Sequence, residues 1–292
     1  MYFDAHLHLA QSSQVFPSGE YFAVSSCHSK EDFDFLFGQP LPKGRSGLPA
    51  FANAHSCALL RNSGLPRPAA FASYGIHPQK VAQVFLEEKN SGHCNGRDII
   101  SLFSKEFVFL EELLKEEKII AIGECGLDYF TSELKESRQE QMLVFQRQIE
   151  LSQKYCLPLV LHLRKSMNDF FAFSKDLKKL PAVIFHSFPG SLQEAFSILN
   201  HKINGYFSFG KPLLNGKKSA LDCVKNLPIE RILLETDSPY QTLKGEKETF
   251  PKDIEKVYRK TGEIRSIKVE ELSLKVQENF VKAFNLSHQT GL

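Results

Sequence analysis

Short runs rich in β-branched and aromatic residues recur along the chain, and each is followed by a longer stretch in which apolar residues return at helical spacing. Eight such runs fall at residues 2–4, 21–25, 70–74, 119–123, 158–161, 182–185, 205–209 and 231–235. Between the fourth and fifth, residues 137–156 set Met142, Phe145, Ile149 and Ser152 on one stripe, and Leu157-Pro158 ends the helix. This is one β-α-β unit. Its repetition, with strands apolar on both faces, predicts an all-parallel sheet covered by helices. Eight units in 292 residues favour a closed (β/α)8 TIM barrel, open to distortion, over a doubly wound sheet. Helical patterns at 250–261 and 269–286 complete the outer layer.

Two stretches interrupt the alternation. Residues 38–68 are rich in Gly, Pro and Ser, and residues 90–97 are polar and glycine-bearing. Both read as loops or insertions between strands 2 and 4. Nothing resembles a linker or an internal repeat, so residues 1–292 read as a single domain.

Composition narrows the partners. With 36 basic against 34 acidic residues, no overall field holds the protein on nucleic acid or on an anionic membrane, so any nucleic-acid contact is local. The first nine residues lack a basic segment and are interrupted by an acid and two histidines, unlike a signal peptide. The apolar runs are too short to span a bilayer. Six cysteines without a C-x-x-C pair suit reduced thiols and argue against a cysteine zinc site. A soluble, cytoplasmic protein is expected, with no membrane and no obligate protein partner.

The candidate chemistry sits where strands end. In Asp4-Ala5-His6-Leu7-His8, period-two alternation sends both imidazoles to one side. Taken alone, His-x-His is better read as two histidines with structural contacts. Its company changes that reading. Glu124 follows an apolar strand and is hemmed by glycines, which predicts a sharp turn presenting it at the strand end. His162 ends the run Leu159-Val160-Leu161, His186 ends Val183-Ile184-Phe185, and Asp237 follows Ile232-Leu233-Leu234. Each could be a polar residue at a loop edge, but strand ends in a barrel converge on one mouth, where barrel enzymes keep their sites. Imidazole and carboxylate donors suit Zn²⁺, Mn²⁺ or Mg²⁺. Four histidines and two acids exceed one tetrahedral site and match a two-metal site with a bridging carboxylate, built for phosphoryl displacement.

The strings DAHLHL, GIHP, IGECGLDY, LHLRKS, FHSFPGS and LLETDSPY, in this order between Asp4 and Tyr240, resemble the TatD family of metal-dependent deoxyribonucleases within the amidohydrolase-like barrel superfamily. The resemblance implies that His6, His8 and Asp237 hold one divalent metal, that His162 and His186 hold the other, and that Glu124 bridges them or sits between them. It also implies that Asp237 is the general base, and that Arg164 pairs with a phosphate oxygen.

Other residues keep alternatives open. His77 in GIHP reads as a pocket, substrate-facing residue rather than a ligand, or as a plain loop histidine. Asp128 orients a ligand or caps a turn. Ser187 and Ser238 donate to phosphate or only serve turns. Lys211, Lys217, Lys218 and Lys225 extend a nucleic-acid track or, the better reading, form a solvated face.

The expected activity is hydrolysis of DNA phosphodiesters by a metal-activated water attacking phosphorus. The resemblance implies 3′-5′ exonuclease action on single strands or 3′ ends, with endonuclease action and RNA substrates as open alternatives. The length of segments 38–68 and 85–107 bears on substrate preference. One rival is a metal-dependent barrel hydrolase of an amide, lactone or aminoacyl ester. Another is a non-catalytic scaffold, against which six clustered, costly polar groups argue.

Overall fold

A computed structural model describes residues 1–18, 21–37, 50–51, 69–91 and 98–286. Eight parallel strands form a nearly closed barrel: β1 (Tyr2–Leu7), β2 (Tyr21–Cys27), β3 (Ala69–Tyr74), β4 (Ala121–Asp128), β5 (Leu159–Arg164), β6 (Val183–Phe185), β7 (Gly205–Phe209) and β8 (Ile232–Leu234). They pair in chain order, and a two-residue strand, Ala50–Phe51, adds to β3. The expected loop 38–68 otherwise lies outside the described residues, as do 92–97 of the loop at 90–97. No described helix is long and apolar enough to cross a membrane.

The seam between β1 and β8 closes just beyond the strand ends. The Asp237 N–H donates to the His6 carbonyl (2.9 Å) and the His8 N–H to the Ser238 carbonyl (2.7 Å). Asp4 reinforces it: fully buried, it accepts from the Tyr21 hydroxyl (2.9 Å), the Thr236 hydroxyl (2.7 Å) and the Thr236 N–H (3.0 Å). Burial pushes the Asp4 carboxyl up to about 7 despite these bonds. Barrel closure and the placement of His6, His8 and Asp237 are therefore one arrangement.

The helix expected at 137–156 spans Arg138–Tyr155, and Cys156 ends it in the left-handed conformation. Its inward face carries Val144, Phe145 and Ile149, but also buried Gln141 and Gln148, two turns apart. Gln148 clamps Ile76 through both its N–H (2.8 Å) and its carbonyl (3.1 Å). Gln141 clamps Asp128 in the same way, at 2.8 and 3.1 Å. The amides satisfy backbone groups where β3 and β4 run out, so a polar residue on the core face is tolerated.

Two expectations need correction. Gly123 and Gly126 do not make a turn: β4 runs on through Glu124 to Asp128, and β5 runs on through His162 to Arg164. Their φ values of 148° and 132° belong to glycine, and a Cβ would lie 2.4 Å from the Val160 carbonyl oxygen or 2.3 Å from that of His162. The glycines bring β4 close against β5 rather than bending it. Lys211 is not on a solvated face: it is fully buried, paired with Glu246 and with Asp253 (2.7 Å), and it anchors the segment after β8. Lys218 and Lys225 are exposed. Of the cysteines among the described residues, Cys27, Cys125 and Cys223 are buried, Cys156 is exposed, and all four are free thiols.

Gly126→Ala should destabilise the fold by at least ~1–3 kcal/mol, the scale of backbone strain at a forced conformation. A urea midpoint unchanged from the parent protein would show that β4 and β5 separate without cost.

Candidate metal centre

At one mouth of the barrel the chain gathers six histidines around Glu124, which is itself 3% exposed. The two carboxylate oxygens divide them. Oε2 lies 3.4 Å from His6 Nε2, 3.7 Å from His8 Nε2 and 3.2 Å from His28 Nε2. Oε1 lies 2.7 Å from His162 Nδ1, 3.3 Å from His77 Nε2 and 3.6 Å from His186 Nε2. Asp237 closes the first group, its Oδ1 standing 3.6 Å from His6 Nε2 and 3.4 Å from His8 Nε2. Its Oδ2 lies 3.9 Å from His186 Nε2.

These spacings test whether cations fit. Nitrogen and oxygen donors about 2.0–2.2 Å from a tetrahedral ion stand roughly 3.4 Å from one another. In the first group His6 Nε2 and His8 Nε2 are 3.1 Å apart, and the carboxylate distances run from 3.4 to 3.7 Å. The second group centres on Glu124 Oε1, and its distances of 2.7 to 3.6 Å bracket the same value. The outer nitrogens fit as well. His162 turns Nε2 to Asp128 Oδ2 (3.0 Å) and His186 turns Nδ1 to Glu235 Oε1 (3.1 Å), the carboxylate–histidine pairing that frees the other nitrogen for a metal.

Charge points the same way. Burial opposes ionisation of Glu124 but is outweighed by His77, His186 and His6, which hold it well below the usual carboxylate range. Burial likewise opposes charge on Asp237, yet His186, His8 and His6 bring it down to about 2. Burial lowers His6 and His77 to about 4, whereas at His186 it is overcome by Glu235, Asp237 and Glu124, which raise that imidazole to about 10. Two buried anions require compensating positive charge, and either protons on the imidazoles or metal ions can supply it.

The structure gathers all six residues expected as ligands at one mouth, but the donor atoms of His186 group with those of His6 and Asp237, whereas His162 groups with Glu124 and His77. It also sets His77 Nε2 among the donors rather than merely in the pocket. Asp128 accepts from the Gln79 amide (2.8 Å) and the Phe130 N–H (2.9 Å) besides facing His162, so turn and orienting roles coexist. Ser238 is buried and donates to the Thr249 carbonyl (2.7 Å), which removes it from any phosphate. The Ser187 hydroxyl meets the Gln241 amide (2.8 Å), which also donates to Asp237 Oδ2 (2.8 Å). Arg164 stays half exposed, 4.0 Å from Asp128 and with its guanidinium 3.9 Å from the centre of the Phe130 ring.

Three residues went unassigned in the sequence: Glu235, Gln241 and His28. His28 follows β2 directly, so the strand-end rule that selects His186 also selects it. Its N–H donates to Asp32 Oδ2 (3.0 Å), which fixes the turn into the helix Lys30–Phe37.

Known proteins resemble this chain in sequence and in fold. The family described as TatD related DNase matches residues 3–285. The chain is 38% identical over 166 residues to a TATDN1 homolog of Enterocytozoon bieneusi, 57% of this chain and 54% of that protein, so the match spans about half of that relative's length. It is 32% identical over 196 residues to YabD of Bacillus subtilis, named as an uncharacterized metal-dependent hydrolase, covering 65% and 74% of the two chains. The crystal structure of YJJV, a TatD homolog from Escherichia coli, shares the fold with a TM-score of 0.67 at 21% identity over 97% and 98% of the two chains. On the family match across nearly its whole length, the chain belongs to the TatD related DNase family.

Proposed function

We propose that this protein is a metal-dependent phosphodiesterase that hydrolyses DNA, acting on single strands or 3′ ends as a 3′-5′ exonuclease with two divalent metals, Mg²⁺, Mn²⁺ or Zn²⁺. The observation that carries the reading is Glu124, which offers one oxygen to each of two histidine groups. The family's description as DNases supports DNA as substrate. His6, His8, Glu124 and Asp237 would hold one ion, and Glu124, His162 and His186, with His77 beside them, the other. When bound, such a pair lowers the pKa of water and neutralises charge on a phosphoryl group.

The protein's own groups do the rest. Asp237 is ionised over the working pH range and accepts the proton of the attacking water at its carboxylate, whose plane Gln241 fixes through Oδ2. Arg164 presents a planar, permanently charged fork to the phosphate oxygens from the rim. Asp128 and Glu235 hold the His162 and His186 rings in orientation. His28 positions the shared carboxylate from its outer side through Glu124 Oε2.

Asp237→Asn should reduce cleavage of end-labelled single-stranded DNA by at least ~10²-fold, the scale of a lost general base, while the circular dichroism spectrum stays that of the parent. Full nuclease activity in that variant would refute the assigned base. Intact DNA alongside hydrolysis of amides or aminoacyl esters by the parent protein would instead transfer the reading to another scissile bond.

His28→Ala should weaken binding of Mn²⁺ by about 10- to 100-fold, as loss of an outer partner of a ligand does. Calorimetric titration reads this directly, and unchanged affinity would show the His28–Glu124 contact to be idle.

A further inference from the structure

Two cavities meet at the mouth. One, of about 330 Å³, holds His8, His28, His77 and Glu124 on its walls. The other, of about 380 Å³, adjoins it through His162, Arg164, His186 and Asp237, and extends away from the donor groups toward Asn215, Lys217 and Thr242. A lobe of this size lies within the ~300–1,000 Å³ range of small-molecule sites and far exceeds what an attacking water needs.

The charge of this second lobe is one-sided. Among the described residues Asp237 is the sole carboxylate on its wall, and that group belongs to the metal centre. Arg164 stands at the junction and Lys217 on the far side. Lys211 is consumed by a buried ion-pair network, whereas Lys217 forms no salt bridge among the described residues and is exposed to the lobe. Lys217 also precedes the helix Lys218–Asn226, which no side chain among the described residues caps, so the positive end of that helix adds to the same field. A cavity that begins at the candidate phosphoryl site and reaches a lysine with no salt bridge among the described residues suits a ligand that carries a second anion.

Resting on the phosphodiesterase reading, we propose that the Lys217 lobe is a subsite for the nucleotide next to the scissile bond, and that Lys217 binds its phosphate. Arg164 then serves the scissile phosphate and Lys217 the neighbouring one. The preferred substrate carries at least two phosphates in series, and a lone phosphodiester leaves the subsite without its anion.

Thymidylyl-thymidine has one phosphate, and the same dinucleotide bearing a second phosphate at its 5′ or its 3′ end has two. One of the two phosphorylated forms should be cleaved with a kcat/KM about 10- to 100-fold above the parent dinucleotide, the value of a charge-assisted contact. Lys217→Ala should collapse that ratio toward one, mainly through KM. A ratio near one in the unmodified protein, or a ratio that survives Lys217→Ala, would overturn the subsite. Binding separates this from the underlying reading: with Mg²⁺ present, thymidine 3′,5′-bisphosphate should bind about tenfold or more tightly than either monophosphate, and Lys217→Ala should erase the difference. If that difference appears while no dinucleotide is cleaved, the phosphodiesterase reading fails and the anion subsite stands. If neither appears, both fall.

Discussion

A carboxylate taken out of water at the end of a barrel, with imidazoles on each side of both oxygens, is the constraint around which this molecule is arranged. Burying Glu124 and Asp237 together costs several kcal/mol per ion unless positive charge is placed against them. The surrounding histidines can neutralise them by taking protons or by sharing cations, and the outer carboxylates Asp128 and Glu235 settle which ring nitrogen faces inward.

The scaffold meets the requirement with backbone rather than flexible side chains. Parallel strands deliver their C-terminal ends to one rim, so residues distant in sequence arrive together without long connections. The seam hydrogen bonds from Asp237 to His6 and from His8 to Ser238 make closure of the barrel coincide with assembly of the first donor group. Gly123 and Gly126 allow β4 to approach β5, and this sets Glu124 beside His162. Gln141 and Gln148 pin the chain on either side of it from a single helix. Stability of the fold and precision of the site are thus carried by the same few contacts.

Much of this was legible in the sequence because it depends on local pattern. Strand–helix alternation gives the barrel, and polar residues just after apolar runs give His186 and Asp237. What the pattern conceals is set by three-dimensional context. Glycines beside Glu124 signal a turn when read locally, but here they answer to the neighbouring strand. Gln141 and Gln148 look like ordinary helix surface until their backbone partners are known. Lys211 resembles a solvated lysine, yet its partners Glu246 and Asp253 lie more than thirty residues away. His28 and Glu235 were within reach of the strand-end rule, since each directly follows a buried, mostly apolar strand.

Whether two cations share Glu124, as proposed, is visible in anomalous diffraction from crystals grown with Mn²⁺. Two peaks per chain are expected, one among His6, His8, Glu124 and Asp237 and one among Glu124, His162 and His186. Peaks that avoid Glu124, or crystals in which those imidazoles face one another with no scatterer between them at saturating metal, would contradict it.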